Sequence, residues 1–346
     1  MQETILENGT LLPASSSTAK PKLGFLGVGW IGRNRMEAII RKDVGEVTFI
    51  SDTATQNAEE AAKSAPEATM VNSLEAMLQE PEVNGIVIAT PSAFHAEQSI
   101  LSLEAGKSVF CQKPLGRNVE ETKRVVETAR RQNKLLGVDF SYRFTAAMQE
   151  VYKVVQSGEL GQIYAVELVF HNAYGPDKAW FYEQKMSGGG CVIDLGVHLV
   201  DLALWSMNFP EVKRVQSHLF AKGKPISMAE GKVEDYATAS IELEGNTQMQ
   251  LSCSWNLPTG QEAIINATFY GTEGGVAFKN INGSFYDFVA ERYCGTKTEQ
   301  LCAPPDEWMG RAGVVWTERV AKGEGFDEQA EEFIKVAKVL DKIYGR

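Results

Sequence analysis

Histidine is scarce in this chain, with four in 346 residues, and no His/Cys cluster has metal-ligand spacing, which argues against a metal centre. The five cysteines, at 111, 191, 253, 294 and 302, are odd in number and form no C-x-x-C pair. They read as reduced thiols, so a cytoplasmic protein is expected. Positive charge is also short: 34 Lys and Arg face 45 Asp and Glu, a net charge of −11. That balance speaks against a nucleic-acid or anionic-membrane surface. No run reaches the roughly 18 apolar residues of a membrane helix. Internal repeats are absent, and low complexity is confined to residues 1–20, which are polar and rich in small side chains. They lack a basic segment followed by an apolar core, and Leu11-Leu12-Pro13 is too short to supply one. The expected reading is an arm that is disordered or lies on a neighbouring surface.

What the chain does have is glycine in informative places. Lys22 to Leu26 reads as a strand and Arg33 to Arg41 as a helix, with Gly27-Val28-Gly29-Trp30-Ile31-Gly32 between them. Strand, G-x-G-x-x-G and helix form a dinucleotide fingerprint. The first glycine permits a tight turn, the second lets a pyrophosphate approach the backbone, and the third allows close helix–strand packing. The helix start then offers free N–H groups to the phosphates. Asp52 ends the next strand, twenty residues beyond Gly32, where a carboxylate meets the adenosine ribose and favours NAD over NADP. Arg33 and Arg35 leave room for NADP, and a helix-capping Asp52 is the plainer alternative.

Short apolar strands alternate with helices up to Asp139, which predicts a doubly wound parallel sheet over residues 21–141. Thr90, Pro91, His95, Gln112, Lys113, Tyr142 and Arg143 fall just past strand ends, where such sheets bind ligands. Residues 142–346 change texture. Longer alternating strands at 162–170, 212–221, 235–243, 247–255, 263–270 and 275–280 predict a large, mostly antiparallel open sheet, with a closing helix over 327–343. Two α/β domains follow. An open sheet face often pairs with another subunit, so a homodimer or homotetramer is expected.

One stretch of the second half stands apart. Gly188-Gly189-Gly190 leads into Cys191 to Leu202 at helical spacing, with Asp194 and His198 four apart on one face. The glycines would give a ligand close backbone approach. An Asp and a His on an otherwise apolar helix are costly to bury without partners or a task; a satisfied core ion pair is the plainer reading.

Taken in order, Gly27-x-Gly29-x-x-Gly32, Ala89-Thr90-Pro91-x-x-x-His95, Lys113-Pro114 and Gly188-Gly189-Gly190-x-x-x-Asp194-x-Gly196-x-His198 resemble the Gfo/Idh/MocA oxidoreductases, the family of glucose–fructose oxidoreductase and inositol dehydrogenase. The likeness runs from about Lys22 to the C-terminus. It implies a Rossmann domain followed by an open antiparallel α/β domain. It also implies hydride transfer between NAD, or NADP, and a hydroxyl or carbonyl carbon of a sugar or cyclitol. By the same resemblance Lys113, Asp194 and His198 match the catalytic set. His198 would accept the hydroxyl proton, Lys113 would stabilise the developing alkoxide, and Asp194 would orient the substrate or balance charge. Gly27, Gly29, Trp30, Ile31, Gly32, Asp52, Thr53, Ala89, Thr90, Pro91, His95, Gln112, Lys113 and Arg143 are the expected cofactor contacts. Tyr142, Trp180 and Tyr182 would join the catalytic three around the substrate. Gln112 departs from the family, which usually has an acidic residue there, so the field on Lys113 should differ. Two other readings stay open. One is a dinucleotide-binding regulatory protein without turnover, and the other a reductase of a dihydrodiol- or biliverdin-type carbonyl.

Overall fold

The computed structural model describes residues 20–346, so the arm expected over 1–20 lies, Lys20 apart, outside the described residues. A parallel sheet forms from β1 (Lys22–Leu26), β2 (Glu46–Ser51), β3 (Thr69–Met70), β4 (Gly85–Ile88), β5 (Ser108–Cys111) and β6 (Leu136–Val138). Between the strands run α1 (Trp30–Arg41), α2 (Thr55–Ala62), α3 (Leu74–Leu78), α4 (Ser92–Glu104) and α5 (Val119–Gln132). The strand order is β3-β2-β1-β4-β5-β6. It reverses between β1 and β4, and the crevice at that reversal is where a dinucleotide lies in such sheets. Every residue of β4 and β5 is buried, as expected for strands covered by helices on both faces.

The second sheet contains β7 (Ile163–Asn172), β8 (Val212–Ala221), β9 (Lys224–Pro225), β10 (Tyr236–Leu243), β11 (Gln248–Ser254), β12 (Ala263–Gly271), β13 (Gly275–Asn280), β14 (Phe288–Cys294) and β15 (Lys297–Cys302). Its order is β15-β14-β13-β12-β7-β11-β10-β8-β9, and only the β7–β11 pair is parallel. The pleat sets the core. Along β10 Ala237, Ala239, Ile241 and Leu243 are buried, while the alternate residues are half-exposed. The remaining helices are α6 (Ala146–Ser157), α7 (Gln184–Ser187), α8 (Val197–Ser206), α9 (Arg311–Ala321) and α10 (Glu331–Tyr344). Helices α6, α8 and α10 pack on the buried face of this sheet.

Three features differ from the sequence reading. First, α9 returns to the parallel sheet, where Ala312, Val314 and Trp316 share a core with Leu23, Phe25 and Phe110. A Cβ on Gly85 or Gly137 would lie 2.6 or 2.8 Å from the Trp316 ring, so both glycines make room for that indole. The first domain therefore borrows a helix from the segment assigned to the second. Second, β14, β15 and α9 are elements that the sequence reading did not place; β15 is an exposed, polar edge strand. Third, Gln184–Ser206 is one stretch whose mean hydropathy reaches 1.3, long and apolar enough to cross a membrane by length and composition. It is 94% buried inside the protein, so its apolar side chains serve the core.

Candidate active site

The glycine loop is built as the fingerprint requires, and each glycine has its own cause. Gly27 sits at φ +82°, and a Cβ there would lie 2.6 Å from the Ala89 carbonyl oxygen. A Cβ on Gly32 would lie 2.0 Å from the Gly27 oxygen. Around Gly29 the chain comes no nearer than 3.9 Å, so the absence of a side chain there serves something outside the chain. That open cradle, at the N-terminus of α1 with its unpaired N–H groups, fits a pyrophosphate. Asp52 braces the loop, accepting from the N–H of Val28 at 2.8 Å through one oxygen and of Ala54 at 2.8 Å through the other. It remains half-exposed at the end of β2, with acceptor capacity to spare for a ribose hydroxyl. Thr53 beside it is exposed.

The Asp194/His198 segment opens on a π-helical turn, Val192–Gly196, that runs into α8. Its N-terminus is sealed by a buried carboxylate. Glu234 accepts from the N–H of Gly190 and of Val192, both at 2.9 Å. Tyr344 donates to Glu234 at 2.8 Å and accepts from the N–H of Ile193 at 3.0 Å. Burial, partly offset by these bonds, raises the Glu234 carboxyl above its usual range. The three glycines are explained by this arrangement, and the ligand role expected of them is corrected. A Cβ on Gly189 would strike the Tyr344 hydroxyl at 2.2 Å, one on Gly190 the Glu234 carbonyl at 1.8 Å, and Gly188, at φ +89°, packs on Arg117.

So anchored, Asp194 meets Lys113 from the end of β5. Lys113 Nζ donates to Asp194 Oδ1 and to its backbone oxygen, each at 2.7 Å. Trp255 Nε1 holds the other carboxylate oxygen at 3.1 Å. The pair lies between two cavities. One, of about 260 Å³, is lined by Ala89, Thr90, His95, Gln112 and Trp180. The other, of about 310 Å³, is lined by Trp30, Arg35, Asp139, Tyr142, Asn172 and His198. Ile31, Gln112, Lys113 and Asp194 line both.

His198 packs edge-on against Tyr142, with ring centroids 4.8 Å apart. Its Nδ1 is sealed and has no partner, which leaves Nε2 as the nitrogen open to the cavity. Burial, with the positive charges of Lys113 and Arg35, holds its pKa well below the usual 6.5. The imidazole is therefore neutral at physiological pH, the form that can accept a proton.

Several expected residues have other tasks. Arg143 is withdrawn from the cofactor. Its guanidinium is buried in a fork with Asp201, at 2.6 and 2.8 Å, and reaches Glu332 at 3.0 Å. Arg35 is not free for a 2′-phosphate, because its Nε donates to Asp139 at 2.6 Å. His95 is buried and strapped between the carbonyl oxygens of Pro114 at 2.7 Å and Thr90 at 2.6 Å, at the wall of the smaller cavity. Pro91 precedes α4 at its cap position and lines neither cavity. Tyr182 is exposed, donates to the Pro176 oxygen at 2.9 Å, and lines neither cavity. Sequence reasoning missed the pairing of Arg35, which it had set toward NADP, with Asp139, and it missed Asn172, Trp255 and Glu234. A charge on the buried face of a helix or at the end of a buried strand was the available signal for the first two.

Comparison with known proteins agrees with this architecture. The family model described as "Oxidoreductase family, NAD-binding Rossmann fold" matches residues 22–140, and the GFO/IDH/MocA C-terminal domain model matches 148–277. D-glucoside 3-dehydrogenase of Escherichia coli is 30% identical over 275 residues, covering 75% of this chain and 78% of that protein. The 1,5-anhydro-D-fructose reductase of Ensifer adhaerens is 28% identical over 261 residues, 75% of each chain. Levoglucosan dehydrogenase in complex with NADH shares the fold, with a TM-score of 0.81 at 20% identity, covering 94% of this chain and 96% of that one. The chain, with its NAD-binding Rossmann domain and open C-terminal sheet, belongs to the Gfo/Idh/MocA family of oxidoreductases.

Proposed function

We propose that the chain is an NAD(P)-dependent dehydrogenase acting between a secondary hydroxyl and the corresponding carbonyl on a sugar or cyclitol ring. One observation carries the reading. Lys113, Asp194 and His198 converge on the 310 Å³ cavity, so that an ammonium, a carboxylate and the open imidazole nitrogen line one space together with Asp139 and Asn172. A polar lining of this kind beside an aromatic wall suits a ligand rich in hydroxyl groups. The relatives named above for glucosides and anhydrofructose support a sugar-like ring.

The bound nicotinamide supplies the acceptor or donor of hydride. The chain's residues handle the oxygen. His198 Nε2 accepts the hydroxyl proton during oxidation and returns it during reduction. Lys113 Nζ donates to the same oxygen and stabilises alkoxide character, while Asp194, fixed by Trp255, holds the lysine at the seam. The half-exposed Asp52 favours NAD.

A second reading, reduction of a flat aromatic carbonyl, draws support from the aromatic wall of Tyr142, Phe170, Tyr286 and Trp308. The C–H faces of a sugar stack on the same wall. Purified protein assayed with NAD and NADP against glycosides, free sugars, inositols and flat aromatic carbonyls separates the two. Turnover confined to the aromatic set would overturn the sugar assignment, and cofactor binding without any turnover would favour a regulatory role. The five free cysteines fit a cytoplasmic setting, and assembly into a homodimer or homotetramer is proposed through the open nine-stranded sheet.

A further inference from the structure

Two ion pairs flank Gln112, one half-buried and one buried. Lys113 and Asp194 form one of them. The other joins Arg35 to Asp139, whose side chains are 5% and 0% exposed. Register explains how they meet. β5 and β6 run parallel with Cys111 opposite Val138, so the next residues, Gln112 and Asp139, leave the sheet side by side. Arg35 reaches them from the inner face of α1, the helix that starts at the glycine loop. Asp139 Oδ2 accepts from Arg35 Nε at 2.6 Å and also from Gln112 Nε2. Asp139 Oδ1 is buried with no partner.

This geometry dictates the chemistry of residue 112. A carboxylate only accepts hydrogen bonds, so the Gln112 amide must turn its NH₂ to Asp139 and its carbonyl oxygen away. Gln112 lines both cavities, so that oxygen is an acceptor at their junction. A carboxylate at 112 would instead face Asp139 as a like charge in a water-poor site.

We propose that Asp139, held by Arg35, is a positioning residue: it fixes Gln112, and through the shared backbone Lys113, at the junction of cofactor and substrate cavities. The pair ties the helix of the cofactor loop to the strand end that carries the catalytic lysine. It also makes an amide at 112 the partner that a carboxylate at 139 demands. The proposal leans on the dehydrogenase reading only where turnover is measured.

The test is a swap. Q112E, D139N and Q112E/D139N are compared for NADH stoichiometry, turnover per bound NADH, KM and thermal midpoint. Q112E should bind NADH at one site per chain yet lose about tenfold or more in turnover per site, with a smaller change in KM, as expected when a catalytic group is misplaced. The double variant restores a donor at 139 facing an acceptor at 112. It should recover turnover to within about threefold of the starting protein. Turnover per site in Q112E equal to the starting protein, or a double variant no better than Q112E, overturns the proposal. If Q112E does not fold, a folded double variant supports the pairing and an unfolded one refutes it. Should the starting protein bind NADH but oxidise no polyol, the functional reading fails separately. The pairing is then read from thermal midpoints, lowered in Q112E and restored in the double variant if it holds, unchanged in Q112E if it does not.

Discussion

Lys113 Nζ and Asp194 Oδ1 lie 2.7 Å apart, one side chain from the parallel sheet and the other from the π-turn of the second domain. Each domain thus contributes half of the polar pair at the junction of the two cavities. Lys113→Ala should leave NADH affinity within a few-fold of the starting protein while lowering kcat by about 100-fold or more. Fluorescence titration and steady-state kinetics check the two halves. An unchanged kcat would remove Lys113 from the chemistry.

His198 should set the acid side of the pH profile. Oxidation needs the neutral ring, and burial with Lys113 and Arg35 holds its pKa well below 6.5. The acid limb of kcat/KM should therefore fall below pH 6.5, where an exposed histidine would place it. The same shift touches stability. The unfolded chain binds a proton at this histidine as pH drops through about 6.5 and the folded chain does not, so stability is lost on acidification. His198→Asn should flatten the dependence of the thermal midpoint on pH between about 7.5 and 5.5. An identical slope in both proteins would show that the ring does not titrate on unfolding.

The glycines of the loop should separate by phenotype. Gly29→Ala adds a methyl group to open space, so the thermal midpoint should hold while NADH affinity falls by about tenfold or more. Gly32→Ala drives a methyl group to 2.0 Å from a backbone oxygen and should cost about 1–3 kcal/mol of stability. Calorimetry and NADH titration on both variants give the comparison. Equal stability losses would mean that Gly29 also serves internal packing.

Glu234 should matter for stability although it lies outside the cavities. Removing its carboxylate strands the N–H groups of Gly190 and Val192, so Glu234→Ala should destabilise the fold by about 3 kcal/mol. Denaturant unfolding measures this. A loss below about 1 kcal/mol would mean that water or Tyr344 replaces the cap.

The parallel sheet was legible because its signal is local, a fingerprint between a strand and a helix, and Asp194 and His198 drew notice as two polar residues four apart; Lys113, 81 residues from Asp194, joined them only through the resemblance to the family. The supports were not legible because they are distant in the chain. Arg35 and Asp139 are 104 residues apart, and Glu234 lies 44 and 42 residues from the N–H groups it caps. Glycine was the most ambiguous letter. At Gly29 the missing side chain leaves open space, and at Gly189 and Gly190 it admits Tyr344 and Glu234 of the same chain; both kinds read alike in sequence. Arg143 was misplaced for a similar reason, since its partners Asp201 and Glu332 come from α8 and α10.

The most direct test is label transfer. Sugars and inositols carrying deuterium at their secondary ring carbons are incubated with NAD or NADP and the protein, and the reduced cofactor is analysed by mass spectrometry. Transfer of one deuterium from a ring carbon to the nicotinamide, slowed by about 100-fold or more in Lys113→Ala, is the expected result. Cofactor that binds but never acquires the label from any polyol would contradict the assignment.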